Sequence, residues 1–349
     1  MSNKWMKQMQ SMEGAIDKEY DPFLVENVLH SPSPSLNWIF GKGSGIPYGY
    51  SAIFYGEPKA GKSLASYLFT SQMHKDHPDG ICIRFDTEMR ADAQLSPIWG
   101  IDSDRFMAFN VNDPKMIYDR ISNEIADLCE AGMPVKMIII DSLQGMKGVK
   151  RMGKDSVADH LMGDDALTHG IGLKNILPII RKYKIALICT SHVRANLDAG
   201  MYGPKKKMAG GWAQKHFFEY FIEVAKNNAG KDKIEDTAGG VDFRGKKEIL
   251  GHKIKVKMVD SSVGIQGRSG EFTLSYEKGL INVGEEIATL AKAMKLVEMP
   301  NNRTYIVGDK KYTSKADFNE ALEKDKELQK DLLEKIYARD NKPYEATEE

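Results

Sequence analysis

Between Leu36 and Asn282 the chain alternates short, almost unbroken apolar runs with amphipathic stretches. The runs cover residues 51–55, 80–85, 106–111, 135–140, 185–190 and 218–224. A strand without polar alternation has both faces covered, as in a buried parallel sheet. Helical patterns separate most of the runs, including residues 114–131 and 170–183. This alternation predicts an α/β fold with a mostly parallel central sheet and helices on both faces. Two later runs, residues 252–259 and 270–275, have no helix between them. They are expected as antiparallel additions at the sheet edge.

The flanks have a different texture. Trp5, Met6, Met9, Met12 and Ile16 recur at helical spacing in an otherwise polar stretch. Residues 22–25 and 28–29 read as extended, and Ser31-Pro32-Ser33-Pro34-Ser35 reads as a linker. Residues 1–35 are therefore expected to form an N-terminal arm, packed on a neighbouring subunit or folded back on its own domain. The core spans residues 36–283. After it come a helix at 285–295, a hairpin at 305–312 and a second helix at 317–337. These predict a small α+β C-terminal domain over residues 284–340. The tail, 341–349, is polar and expected to be disordered.

Composition narrows the classes. Lys plus Arg and Asp plus Glu are 49 each, so the formal net charge is zero. A nucleic-acid partner cannot be argued from global charge; it needs a local basic patch. Cys82, Cys129 and Cys189 have neither disulfide nor zinc spacing, which fits a reducing compartment. No apolar run approaches the ~20 residues of a membrane span, and no signal core follows Lys4 and Lys7. The expectation is a soluble protein of the cytoplasm, with no membrane partner.

The most specific motif is Gly56-Glu57-Pro58-Lys59-Ala60-Gly61-Lys62-Ser63, followed by Leu64. It stands between a predicted strand and a predicted helix, with the G-x-x-x-x-G-K-S spacing of a phosphate-binding loop. Two glycines let the backbone turn its N–H groups inward, and the next helix presents its positive end to the same anion. Lys62 is placed to reach phosphate, and the Ser63 hydroxyl to ligate Mg²⁺. The alternative is a structural glycine turn.

Three further strand ends carry polar groups. Residues 137–140 lead to Asp141, and a carboxylate there holds Mg²⁺ directly or through water. Residues 82–85 lead to Asp86-Thr87-Glu88. One of these carboxylates is expected to activate the attacking water, but spacing does not choose between Asp86 and Glu88. Residues 186–190 lead to Ser191-His192-Val193-Arg194. A polar group there is placed to sense the γ-phosphate, although a lone histidine is more often structural.

Two glycine-containing basic loops leave the same end of the predicted sheet. Residues 145–165 carry Lys147, Lys150, Arg151 and Lys154; residues 195–211 carry Lys205, Lys206 and Lys207 before Gly210 and Gly211. Lysines in one loop read as ordinary solvated surface, but the pair suggests a polyanion held by salt-dependent phosphate contacts. Met162 and Leu197 are apolar loop residues of the kind that wedge between bases.

From about Leu36 to Tyr337 the chain resembles the RecA family of homologous-recombination ATPases. The resemblance rests on the order of Ile46-Pro47-Tyr48-Gly49-Tyr50, the phosphate loop, Phe85-Asp86-Thr87-Glu88, Ile140-Asp141-Ser142, Ser191-His192-Val193-Arg194 and Gly210-Gly211. Pro78-Asp79 and His192 look closest to the phage branch typified by UvsX, whereas the C-terminal domain looks more like bacterial RecA.

The resemblance implies ATP and Mg²⁺ as cofactors, with Lys62 and Ser63 at the phosphates and Asp141 as the Walker B carboxylate. It selects Glu88 as the catalytic glutamate and places Asp92 at the adenine edge. His192 becomes the nucleotide-to-DNA switch, and Lys62, Glu88 and His192 form the catalytic set. Residues 145–165 and 195–211, with Arg194 among the contacts, become the DNA-binding loops. The arm would join protomers head to tail into a helical filament.

Two departures stand out. Leu95 replaces the family's adenine-stacking aromatic, and Val259-Asp260-Ser261-Ser262 lacks the lysines that bacterial members extend to a neighbour's ATP. Lys255, Lys257 and Arg268 are the nearest substitutes.

The implied function is a DNA-dependent ATPase that pairs single-stranded DNA with homologous duplex in recombination and repair. Single-strand-binding and mediator proteins are further expected partners. A RecA-fold helicase is the first rival; such proteins usually carry a separate N-terminal assembly domain, and residues 1–35 are too short for one. A structural filament that binds single-stranded DNA without hydrolysing ATP is the second.

Overall fold

Neighbouring residues of the apolar runs enter two different cores. Ile53, Ile138 and Leu187 lie in one cluster; Phe54, Ile139 and Ile188, each the next residue along, lie in the other. Side chains alternate across a strand, so a run that is apolar throughout must be covered on both sides. The computed structural model describes residues 2–10, 12, 21–90, 98–146, 164–196, 206–208, 216–226, 233–235, 245–301 and 303–338.

Helix α1 (Ser2–Gln10) is followed by β1 (Val28–Leu29), α2 (Pro34–Trp38) and β2 (Ile46–Pro47). Then come β3 (Ser51–Gly56), α3 (Lys62–Asp76), β4 (Ile81–Asp86) and β5 (Phe106–Asn110). Helix α4 (Pro114–Asp119) continues through a π-helical segment, Arg120–Ile125, into α5 (Ala126–Glu130). The core closes with β6 (Val135–Asp141), α6 (Asp164–Lys182), β7 (Ala186–Ala195), β8 (Lys206–Met208), β9 (Tyr220–Lys226), β10 (Lys233–Glu235), β11 (Ile249–Ser261), β12 (Ser269–Ser275) and β13 (Gly279–Ile281).

The main sheet runs β13-β12-β11-β9-β3-β7-β6-β4-β5, with β8 on β7 and β10 on β11. All pairs from β9 to β5 are parallel. Strands β11, β12 and β13 add antiparallel at the edge, as the missing helices predict. Ala65, Leu68 and Phe69 of α3 cover one face; Ile117 of α4 and Leu173, Ile176 and Ile180 of α6 cover the other. The fold is therefore the α/β, mostly parallel core that the hydrophobic pattern predicts. No helix among the described residues is long and apolar enough to cross a membrane.

The C-terminal segment, α7 (Val283–Ala293), β14 (Tyr305–Val307), β15 (Lys310–Tyr312), α8 (Lys315–Lys324) and α9 (Lys326–Ala338), has its own apolar cluster. Phe318 lies between the Tyr305 and Tyr312 rings, at centroid distances of 5.3 and 5.1 Å. The single helix expected over 317–337 is broken at Asp325, whose backbone is extended. Its carboxylate accepts from the Leu328 N–H at 3.0 Å and so caps α9.

The linker reading of residues 31–35 needs correction. Ser31, Ser33 and Ser35 are all buried. Ser33 is the N-cap of α2, accepting from the Leu36 N–H at 3.1 Å, and Pro34 occupies the first turn. Serine followed by proline is a helix-start signal as well as a linker signal. Strand β1 pairs with β2, so residues from Val28 onward pack on the chain's own core. In α1, Trp5 and Met9 are exposed.

Candidate active site

The phosphate loop begins where β3 ends. Gly61 is the N-cap of α3 with φ of 102°, a left-handed conformation that glycine adopts without strain. It provides no side-chain cap, so the first N–H groups of a 15-residue helix stand ready for an anion. Glu57, Pro58 and Lys59 are exposed, Ala60 is buried, and Leu64 packs against the apolar core.

Lys62 is buried, and its Nζ donates to the carbonyls of Gly56 and Glu57 at 3.1 and 2.9 Å. Burial pulls this lysine below its ordinary pKa, opposed by the charges of Asp141, Glu88 and Glu57. Ser63 follows on the first turn. The loop thus presents an uncapped helix end, a desolvated cation and a hydroxyl, a donor set that fits a nucleotide phosphate.

Four parallel strands reach the same edge as this loop; β3, β4 and β6 end there and β7 runs on to Ala195. Gly56 of β3 is opposite His192 of β7, and Asp86 of β4 is opposite Asp141 of β6. The Asp141–Ser142 peptide is cis. Asp141 Oδ2 accepts from Arg84 Nη2 at 2.7 Å, and Oδ1 accepts from the Thr190 hydroxyl. No group of three His, Cys, Asp or Glu side chains forms a metal cage among the described residues. Mg²⁺ characteristically takes only one or two protein ligands and completes its shell with phosphate and water. The Ser63 hydroxyl and the Asp141 carboxylate fit that requirement.

The two carboxylates left open by spacing have different surroundings. Asp86 is buried and caps the turn after β4, accepting from the N–H groups of Glu88 and Arg90 at 3.1 and 2.8 Å. Glu88 instead borders a cavity of about 380 Å³ with Pro58, Arg90, Gln144, Gly145 and His192. Its Oε1 is 2.6 Å from His192 Nε2 and accepts from the Ser142 hydroxyl at 3.0 Å; its Oε2 is 3.0 Å from Arg90. Burial raises the Glu88 pKa, but the bonds from His192 and Ser142 and the charges of His192 and Arg90 outweigh it. The net effect is a carboxyl below the usual value.

Supporting groups absent from the motif reading hold this corner together. The Thr87 hydroxyl donates to Ser142 O at 2.6 Å and accepts from Ser142 N at 2.8 Å, tying β4 to β6. A Cβ on Gly145 would lie 2.0 Å from the Thr87 hydroxyl oxygen, so only glycine permits this approach. Gln144 accepts from the His192 N–H at 2.8 Å and donates to Ser191 Oγ at 3.0 Å. His192 Nδ1 is buried without a partner among the described residues. Of these groups, Arg84 left the clearest signal, a charged residue inside the apolar run Cys82-Ile83-Arg84-Phe85.

A larger cavity of about 1060 Å³ lies on the other side of the loop, against β9 and β11. Glu88 and His192 border the smaller one, and residues 56–60 of the loop border the larger. At the far end of β11, Asp260 accepts from Gln266 Nε2 at 2.9 Å. Two of the proposed lysine substitutes are engaged within the chain. Lys255 pairs with Glu271 at 3.0 Å, and Arg268 lies 3.8 Å from the Trp38 ring centre.

Strand β7 runs through the site and beyond it. Past His192 it pairs antiparallel with β8, with Arg194 opposite Lys207 and Ala195 opposite Lys206. Part of the segment expected as an open loop is therefore strand. Arg194 is exposed. Asp92, Leu95, Lys147, Lys150, Arg151, Lys154, Met162, Leu197, Lys205, Gly210 and Gly211 lie outside the described residues.

Comparison with known proteins agrees with this architecture. Protein RecA of Oleidesulfovibrio alaskensis is 24% identical over 260 residues, covering 74% of this chain and 68% of the relative. Protein RecA of Francisella philomiragia is 25% identical over 291 residues, covering 83% and 74%. That of Campylobacter fetus is 23% identical over 271 residues, covering 78% and 71%. The family model of the RecA N-terminal domain matches residues 19–281, most of the sequence and the whole of the parallel sheet, and the chain belongs to the RecA family.

Proposed function

We propose that the protein is an ATP-dependent DNA recombinase. It forms helical filaments on single-stranded DNA and pairs that strand with homologous duplex. The observation that carries this reading is the contact between Glu88 and His192. It joins the nucleotide end of the sheet to β7, which leads through Arg194 to β8 and the basic segment around it.

In this reading Lys62 and the first turn of α3 hold the phosphates, and Ser63 and Asp141 hold Mg²⁺. When bound there, the metal would supply charge neutralisation to the phosphates. Glu88, held ionised by its neighbours, orients a water and takes its proton. His192 shares Glu88 Oε1, so a change at the γ-phosphate end shifts the start of the β7–β8 extension. Lys147, Lys150, Arg151, Lys154, Lys205, Lys206 and Lys207 supply phosphate contacts, while Met162 and Leu197 separate bases. Gly210 and Gly211 join the DNA contacts of the second loop, and Asp92 and Leu95 serve the adenine.

The likeness to the UvsX branch rests on His192 and Pro78-Asp79. The proposed setting is the cytoplasm of a bacterial or phage-infected cell, with single-strand-binding and mediator proteins as further partners. Residues 1–35, 36–283, 284–340 and 341–349 serve as arm, core, C-terminal domain and tail.

A strand-exchange assay with ATP, paired with negative-stain images, tests the reading. Exchange with open filaments supports it; closed rings favour a helicase. One observation favours a second reading, a filament with little turnover. The stretch Val259-Asp260-Ser261-Ser262, at the end of β11, has none of the lysines that bacterial members extend to the neighbour's nucleotide. Filaments without hydrolysis are the outcome that reading expects.

A further inference from the structure

Arg84 occupies the middle of β4 and is 4% exposed. Ile83 and Phe85 on either side are buried in the opposite core. The guanidinium donates through Nη2 to Asp141 at 2.7 Å and through Nη1 to the Tyr67 hydroxyl, and it lies 4.9 Å from the Tyr67 ring centre. Its Nε has no partner among the described residues. A buried ion pair is weak evidence for stability, because an apolar residue of similar volume often fills such a place equally well. An incompletely satisfied arginine inside an apolar strand therefore calls for a role other than packing.

Its position suggests that role. Arg84 is opposite Ile139 in register, two residues before Asp141, so the side chain reaches toward the carboxyl end of the sheet. Tyr67 stands four residues after Ser63 on α3, on the same helix face. The guanidinium thus sits one layer beneath the expected metal position, and Tyr67 and the surrounding core fix it there. With Thr190 on Oδ1 and Arg84 on Oδ2, both oxygens of Asp141 are engaged within the chain.

We propose that Arg84 is a resident counter-cation to Asp141 that lowers the site's dependence on divalent metal for holding a nucleotide. The inference rests on the nucleotide-site reading above and adds to it. The Arg84–Asp141 pair carries no net charge, so it attracts a divalent cation less than a lone carboxylate does. Lys62 and Arg84 are two buried cations beside the buried carboxylates of Asp86 and Asp141, of which Asp86 is already committed to the N–H groups of Glu88 and Arg90. They offset phosphate charge whether or not metal is bound. Arg84 touches no substrate in this account; it acts through Asp141 as a positioning residue.

The test measures binding of a fluorescent ADP analogue in EDTA and across a Mg²⁺ titration. The expected affinity of the parent protein in EDTA is within about tenfold of its value in saturating Mg²⁺; a larger loss overturns the inference. Arg84→Gln keeps a donor for Asp141 but removes the charge. It is expected to lower the Mg²⁺ midpoint about tenfold and to weaken metal-free binding by a similar factor. Arg84→Lys should restore the parent values. An unchanged midpoint in Arg84→Gln, with only a lower melting temperature, would make Arg84 a packing residue and overturn the proposal. The parent measurement decides even if the variant fails to fold. Failure of the parent to bind the analogue in saturating Mg²⁺ would instead remove the nucleotide-site reading and this inference with it.

Discussion

Glu88 Oε1 lies 2.6 Å from His192 Nε2; Glu88 follows the end of β4, and His192 stands within β7. The same oxygen accepts from Ser142, which follows β6. One carboxylate oxygen therefore links β7 to the residues that follow β4 and β6. Because β7 continues into the pairing with β8, movement of His192 is movement of that extension. On the proposed function, Glu88 and His192 together form the physical element that both the nucleotide end and the polyanion-facing end bias.

Replacing Glu88 by Gln tests its chemical role. The amide oxygen still accepts from Ser142 and His192, so the fold and nucleotide affinity should hold. Hydrolysis, followed by phosphate release, should fall by about 10²–10⁴-fold, the usual worth of a general base. Equal rates would remove Glu88 from the reaction.

Replacing His192 by Ala tests the coupling and predicts a pH effect. Glu88 is held below its ordinary value of 4.5 partly by His192. Its folded-state stabilisation is complete above that value and is lost as pH falls through the lowered one. Without His192, the acid limb of the hydrolysis profile should move to higher pH. The ratio of single-stranded DNA affinities with and without a non-hydrolysable ATP analogue, read by anisotropy, should approach one. An unchanged ratio would place the switch elsewhere.

Glu286 predicts a different pH dependence. It is 4% exposed, and its Oε2 accepts from the Ser33 hydroxyl at 2.6 Å and the Ser35 N–H at 2.9 Å, joining α7 to the start of α2. Burial dominates these bonds and pushes its pKa to about 8. The folded state then binds a proton that the unfolded state releases above 4.5, so stability should fall between those values and level off above pH 8. Gln at position 286 can accept the same two bonds without the proton. It should flatten the decline and raise the melting temperature at pH 8 to 9, by a margin worth about 2–4 kcal/mol. Parallel melting curves for parent and variant from pH 5 to 9 would contradict this.

Converting Lys205, Lys206 and Lys207 together to Ala should weaken single-stranded DNA binding. The slope of log affinity against log salt should drop by about 2, at roughly 0.7 per phosphate contact. An unchanged slope would assign these lysines to solvated surface.

The parallel core was legible because covering both faces of a strand leaves an unmistakable apolar run, as in residues 137–140. Loop spacing and strand ends marked Lys62, Ser63 and Asp141 as candidates, and the parallel sheet brings the ends of β3 and β6 to one edge. Local signals failed where one residue type serves two purposes. Ser33-Pro34 reads as linker or helix start, and its buried contact with Glu286 comes from 253 residues away. Asp86 and Glu88 are equivalent in spacing; the family resemblance selects Glu88, and the turn after β4 draws Asp86 onto its backbone. Arg84 was visible as a charge in an apolar strand, but its partners Tyr67 and Asp141 come from α3 and β6.

The most direct test of the central claim is ATP hydrolysis by the full chain with and without single-stranded DNA. The account predicts slow turnover alone and a marked increase on adding DNA, because the strand that carries the proposed DNA-contacting residues also carries the partner of Glu88. A rate indifferent to DNA at saturating ATP would contradict it.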